Sequence, residues 1–224
     1  MENITLLDYW RMYKSKGFRL PIYFFLETHL FDILYKTDTH KLINKDEFDQ
    51  NIKNLSHGIL YMSSWTSVIK KSIKKSFEII NLPPNDYDII DLGCGKGKVL
   101  LVISKMFKNG KISPRLIGID YSKDLINIAK KNLDCINASN VTLINNDVVE
   151  IDINFYKKNV ILYLYNPFDE KVLSKILDIV KNKNIIAIYN NPLHSEVFRK
   201  YNYNLLFEQK SWHPNKKYKI FKNY

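Results

Sequence analysis

Cysteine is almost missing from this chain of 224 residues, occurring only as Cys94 and Cys135. Two thiols cannot build a disulfide framework, and they offer no metal-ligand spacing. The histidines, at 29, 40, 57, 194 and 213, stand singly, so no zinc site is expected. Glycine and proline are also scarce, at seven each, and no repeat or low-complexity linker is present. The N-terminus lacks a basic stretch followed by an apolar core and a small-residue cleavage site. No signal peptide is therefore expected, and the expected location is cytoplasmic. The most apolar run, LPIYFFLETHLFDILY, is broken by Glu27, His29 and Asp32. It is too short to span a bilayer, so no membrane insertion is expected.

What is abundant is positive charge and apolar surface. The formal net charge is +11, with 46% hydrophobic and 13% aromatic residues. Such a charge raises the idea of an acidic partner: RNA, DNA or anionic lipid. The lysines, however, spread over many segments of a chain rich in Lys, Asn, Ile and Tyr. Composition alone accounts for the charge, and weak, non-specific nucleic-acid binding is the expectation.

Residues 1–84 read as an N-terminal helical region. ITLLDYWRMYK and PIYFFLETHLFDILY carry helical apolar spacing, and SWTSVIKKSIKKSFEII places Trp65, Val68, Ile69, Ile73, Phe77 and Ile80 on one stripe. After the break LPPND the pattern alternates. Short apolar strands (YDIIDLG, RLIGID, VTLINND, NVILYLY, NIIAIYNN) are separated by helices predicted at 96–108, 122–138, 169–181 and 192–200. Buried strands separated by helices mean an α/β fold, a doubly wound and mostly parallel sheet spanning 85–224. NLLFEQKSW and KKYKIFKN, joined by HPN, add a closing hairpin with one antiparallel strand.

The first strand–helix turn, DLGCGKGK, holds Asp91, Gly93, Gly95 and Gly97. Glycines there permit positive φ and let backbone N–H groups approach a ligand at a helix N-terminus. The spacing is G-x-G-x-G, and Lys98 stands where a dinucleotide-binding turn wants a small residue. A nicotinamide-dependent oxidoreductase is thereby disfavoured. Asp120 ends the second strand, where a carboxylate can accept both hydroxyls of a ribose. Asp147 ends the third, where it can accept from an adenine amino group, with the Val148 N–H facing a ring nitrogen.

The motifs DLGCGKGK, IGID, NND and LYLYNPF resemble, in order, those of class I S-adenosylmethionine-dependent methyltransferases. The resemblance covers about residues 85–224. It implies a seven-stranded sheet with an antiparallel last strand, and S-adenosyl-L-methionine as cofactor. The upstream region is similar to a bacterial group of small methyltransferases that carry an FD…TDT element, here Phe31-Asp32 to Thr37-Asp38-Thr39. More distantly, it is similar to seven-strand-type histone-lysine methyltransferases. The resemblance implies transfer to an amine nitrogen of a protein side chain (lysine-type) or a small molecule. An RNA or DNA amino group as acceptor, and a catalytically silent cofactor-binding adaptor, are the alternatives.

The fourth strand stops abruptly at Asn166-Pro167-Phe168. Proline cannot continue a ladder, and Asp169 suits the cap of the next helix. The same tip would also lie beside a reactive methyl, with Asn166 accepting N–H bonds from an amine and Phe168 flanking it. The resemblance is partial here, because methyltransferases of amino groups on bases or glutamine carry N/D-P-P-F/Y. The next strand repeats the pattern as Tyr189-Asn190-Asn191-Pro192, so Asn190, Asn191 and nearby His194 are candidates for positioning the acceptor. Upstream, LYMSSWTSVI is expected to cover the cofactor, with Tyr61, Ser64 or Thr66 at its carboxylate end and Trp65 anchored in the core.

Overall fold

The computed structural model describes residues 5–41, 62–80, 83–108, 110 and 113–224. Seven strands form one sheet in the order β3-β2-β1-β4-β5-β7-β6. They are β1 (Tyr87–Leu92), β2 (Arg115–Asp120), β3 (Val141–Asn145), β4 (Asn159–Tyr165), β5 (Asn184–Asn190), β6 (Asn204–Gln209) and β7 (Tyr218–Lys222). β1 to β5 pair in parallel, and β7 inserts antiparallel between β5 and β6. The expected antiparallel strand is therefore present.

Helices cover both faces, which is why the central strands read as unbroken apolar runs. α4 (Thr66–Ile79), α5 (Lys98–Phe107) and α6 (Lys123–Cys135) pack on one face against Ile89, Leu116, Ile161 and Ile186. α7 (Glu170–Ile179) and α8 (Ser195–Lys200) pack on the other against Ile90, Ile117, Leu162 and Ala187. The odd and even positions of each strand thus face opposite cores. α4 buries Trp65, Val68, Ile69 and Ile73 as its stripe foretells, so it belongs to the helical layer of the sheet. Fully burying one such isoleucine stabilises the fold by ~2 kcal/mol.

Helix starts follow local chemistry. Ser122 accepts from the Leu125 N–H to cap α6, and Asp169 accepts from the Val172 N–H to cap α7. Tight αL turns also follow the two central strand tips, at Asn166 (φ +41°) and Asn191 (φ +48°). Asparagine is among the few side chains that tolerate this conformation. The repeated Asn-Pro is, at the level of the backbone, two copies of one strand-ending turn.

Upstream of α4, α1 (Leu6–Lys16), α2 (Arg19–Phe24) and α3 (Leu30–Tyr35) form a helical cap, with a π-helical turn (Phe25–His29) joining the last two. Two buried acids fasten the cap. The Glu27 carboxylate accepts from the Ser67 N–H (2.8 Å) and hydroxyl, a favourable place for an anion at the N-terminus of α4. Asp32 accepts from the Thr37 and Thr39 hydroxyls (2.6 and 2.8 Å) and from the Thr39 and His40 N–H groups (2.7 and 2.9 Å). His40 Nδ1 lies 2.7 Å from the same carboxylate. The FD…TDT element is thus a folded loop wound around one aspartate.

Candidate functional site

The carboxyl ends of β1, β2, β4 and β5 meet at one edge of the sheet. At β1 the chain turns through Gly93, Gly95 and Gly97, with φ of +74°, +52° and +81°. The N–H groups of Gly93 and Cys94 both donate to the Ile119 carbonyl, pinning the turn to β2. Asp120 at the tip of β2 accepts from the Gly95 N–H (2.8 Å) on one oxygen and the Ser122 N–H (2.9 Å) on the other. Each carboxylate oxygen has two acceptor positions, so one on each remains for a ligand hydroxyl.

Asp91 lies beside it. Its side chain is buried, and Oδ2 has no hydrogen-bond partner among the described residues. Burial, reinforced by the Asp120 charge, pushes the Asp91 carboxyl well above the usual range. Burial likewise raises Asp120, to about 6, against the lowering effect of the Ser122 and Gly95 N–H groups. Two buried acids face each other with no lysine or arginine between them among the described residues. That arrangement calls for a cation.

Asp147, just past β3, is half-buried and accepts from the Val149 N–H (3.1 Å), while Val148 is buried. Tyr121, which the sequence reading passed over, follows Asp120. Its hydroxyl is raised to about 12 by burial and by the charges of Asp120 and Asp147.

A second overlooked residue is Lys96, inside the glycine turn. It is fully buried, with Nζ 3.5 Å from Asp38 of the cap loop. Asn132 of α6 locks the two together. Its Nδ2 donates to the carbonyls of Asp38 (3.1 Å) and Lys96 (3.0 Å), and its Oδ1 accepts from the Asp38 N–H (2.8 Å). The cap loop therefore lies on the glycine turn. Only long-range folding brings these residues together, and nothing in their local spacing announces it.

The expected cover residues divide. Tyr61 lies outside the described residues. Ser64 is buried and bonds to the hydroxyl of Tyr163 in β4. The Thr66 hydroxyl donates to the Glu27 carbonyl (3.1 Å), which turns it toward the cap. Trp65 is fully buried, as expected of an anchor.

At the β4 tip, Asn166 is buried and its Oδ1 accepts from the Tyr189 hydroxyl at 2.8 Å. β4 and β5 are neighbours, with Tyr165 paired to Asn190, so the two Asn-bearing tips stand side by side. Asn190 is fully buried, with Nδ2 3.4 Å from the Tyr163 hydroxyl and Oδ1 unpartnered among the described residues. Pro167 leans on the glycine turn, close enough that a Cβ on Gly93 would lie 3.0 Å from its own Cβ. Phe168 is buried in the same apolar cluster as Val172 and Leu173, and its Cζ lies 3.7 Å from where a Cβ on Gly93 would stand, so the ring also reaches the glycine turn. His194 is half-exposed, with Nδ1 3.4 Å from Glu170, while its N–H donates to the Tyr189 hydroxyl (3.3 Å).

Comparison with known proteins agrees with this geometry. Residues 84–223 match the family model described as a methyltransferase domain. The chain is 30% identical over 165 residues to carboxy-S-adenosyl-L-methionine synthase of Wolinella succinogenes, covering 70% of this chain and 66% of that protein. It is 27% identical over 171 residues to release factor glutamine methyltransferase of Buchnera aphidicola, covering 62% of this chain and 60% of that protein. The chain thus spans just under two-thirds of the length of these relatives. Among solved structures, a SAM-dependent methyltransferase from Aquifex aeolicus superposes with a TM-score of 0.50 at 15% identity, covering 70% of this chain and 97% of that one. With the glycine turn, the acid-tipped strands and the Asn166 tip all inside the matched region, the chain belongs to the methyltransferase-domain family and carries its class I, seven-stranded, S-adenosylmethionine-dependent fold.

Proposed function

We propose that this chain transfers a methyl group from S-adenosylmethionine to an amine nitrogen on a protein side chain (lysine-type) or a small molecule. The observation that carries the reading is the buried pair Asp91 and Asp120 at the glycine turn, with Asp91 Oδ2 unpartnered among the described residues. S-adenosylmethionine is cationic at its sulfonium and its ammonium, so its charge fits this pair. The diphosphate of a nicotinamide dinucleotide would be repelled there. When bound, the cofactor supplies an electrophilic methyl group.

The residues then divide the remaining work. Asp120 offers its remaining lone pairs to ribose hydroxyls, and Asp147, with the Val148 N–H, suits the adenine edge. Gly93, Gly95 and Gly97 let the backbone approach. Ser64, and Tyr61 upstream of it, are the cover residues for the carboxylate end, and the cap loop around Asp32 excludes water. On the acceptor side, Asn166 keeps one lone pair of Oδ1 and its backbone carbonyl to receive N–H bonds. Those contacts aim the nitrogen lone pair at the methyl, and positioning is the main contribution a protein makes to such a displacement. Asn190, Asn191 and His194 form the rim next to it. The relative named as a release factor glutamine methyltransferase supports a protein side chain as the acceptor.

The test is incubation with radiolabelled S-adenosylmethionine and cell lysate, followed by separate nuclease and protease digestion. Label that is protease-sensitive or dialysable supports the proposal. Nuclease-sensitive label would make the net charge of +11 functional and move the acceptor to nucleic acid. Absence of any label, with the cofactor bound, would point to a silent adaptor.

A further inference from the structure

Beside the β5 tip, three aromatic rings close around a lysine ammonium. Lys216, in the connection between β6 and β7, holds Nζ 3.4 Å from the centre of the Tyr23 ring. The centres of the Trp65 and Trp212 rings lie 5.6 and 5.9 Å away. The rings come from separate places: Tyr23 from α2, Trp65 from the start of α4, and Trp212 from the β6–β7 connection. The planes of Tyr23 and Trp65 are parallel within 1°, and His213 stacks on Trp65 at 4.8 Å.

The position matters. The Asn191 N–H donates to the Lys217 carbonyl (2.9 Å), and Tyr218 pairs with Asn190 across the β5–β7 ladder. These contacts set the cage beside the tip of β5, on the acceptor side.

Lys216 makes no ion pair or hydrogen bond among the described residues. Among the described residues only aromatic faces hold its charge, and they attract any ammonium by the same quadrupole; the Trp212 ring also carries the Arg19 guanidinium, 4.4 Å from its centre. The indole N–H groups of Trp65 and Trp212 are buried without a partner among the described residues, so the pocket is not organised around hydrogen bonds there. Replacing Lys216 with the ammonium of another molecule exchanges one unit charge for another and leaves the local balance unchanged.

We propose that this cage is the subsite for an alkylammonium group of the methyl acceptor, and that Lys216 is its internal stand-in, leaving when the acceptor enters. The inference rests on the reading that the acceptor approaches the β4 and β5 tips. It narrows the acceptor to a molecule that carries a cationic ammonium in addition to the neutral amine that takes the methyl, such as an aliphatic polyamine or a peptide with a second lysine beside its target.

Tetramethylammonium isolates the cage from transfer, because it has no nitrogen that can accept a methyl group. Its binding to the full chain can be followed by the upfield shift of its methyl resonance over the rings. Lys216→Ala removes the internal competitor and should tighten binding by about tenfold. Trp212→Ala in that background should weaken it by about tenfold again, and Trp212→Phe, which keeps a ring, should fall between. Trp212 is half-buried, so these variants spare the core, and thermal melts verify folding. Equal binding by the unchanged chain and Lys216→Ala overturns the proposal, as does binding indifferent to Trp212. Calorimetry with S-adenosylhomocysteine on the same samples tests the methyltransferase reading separately. Failure there, with an intact tetramethylammonium response, would sink that reading and leave the cage standing.

Discussion

The Tyr189 hydroxyl on β5 donates a 2.8 Å hydrogen bond to Oδ1 of Asn166 at the end of β4. Both residues are buried, and the same hydroxyl receives the His194 N–H at 3.3 Å. The amide that the proposal places against the acceptor is therefore held from the neighbouring strand.

Asn166→Ala should lower methyl transfer by about two orders of magnitude or more, the size expected when a positioning group at the reacting centre is lost. Cofactor affinity should stay nearly unchanged, because the residues proposed to hold it lie at the tips of β1, β2 and β3. Tyr189→Phe should have a smaller effect, about tenfold, since the amide remains and only its orientation loosens. Single-turnover transfer compared with cofactor titration separates the two steps. Joint loss of folding and binding in Asn166→Ala would reduce the tip to a strand terminator.

Gly93→Ala should destabilise the protein by ~1–3 kcal/mol. Its φ of +74° disfavours a side chain, and the new Cβ would stand 3.0 Å from the Cβ of Pro167. The contact joins the cofactor turn to the acceptor tip, so transfer should fall along with stability. Denaturant unfolding and transfer rates check both.

Asp32→Ala should cost ~3 kcal/mol or release the cap, because it leaves the Thr37, Thr39 and His40 donors without a buried acceptor. Burial raises the Asp32 carboxyl, but hydrogen bonds from His40 and Thr37 and the charge of Lys98 outweigh it and hold it below its ordinary value. Its contribution is present above the unfolded-state value and is lost as pH falls through the lowered one. Acid unfolding of the variant should accordingly begin from a lower plateau with a shallower slope.

The Asp120 carboxyl carries the opposite sign. Raised from 3.8 to about 6, it favours the folded state most below its unfolded value, and that advantage is lost as pH rises through about 6. The ligand-free protein should therefore lose stability between about pH 4 and 6, by ~3 kcal/mol at most. S-adenosylmethionine should bind more tightly over the same interval, as the Asp120 carboxyl ionises toward a cation. Melting curves with and without cofactor, taken across that range, should converge at the acid end.

Much of this was legible in the chain. Strand periods, the glycine turn and the acids at 91, 120 and 147 are local signals, and they gave the sheet and one side of the site. The repeated Tyr-Asn pattern marked both the Asn166 and Asn191 tips, and the pairing of β4 with β5 is what sets them side by side. What escaped depends on distant partners. Lys96 is buried against Asp38, and Thr66 turned to Glu27, contacts that no spacing along the sequence encodes. The repeated Asn-Pro also had a backbone cause, the αL turn, that composition alone does not separate from function.

The central claim is that Asp91 and Asp120 hold a cationic cofactor at the glycine turn. Calorimetric titration of S-adenosylmethionine and NAD into the unchanged chain, Asp91→Asn and Asp120→Ala tests it most directly. The account predicts binding of S-adenosylmethionine and not NAD. It also predicts a loss of ~2–3 kcal/mol in Asp120→Ala, and weaker binding in Asp91→Asn with no fall in melting temperature, because Asp91 Oδ2 has no hydrogen-bond partner among the described residues. Unchanged S-adenosylmethionine affinity in both variants, or tighter binding of NAD, would contradict it.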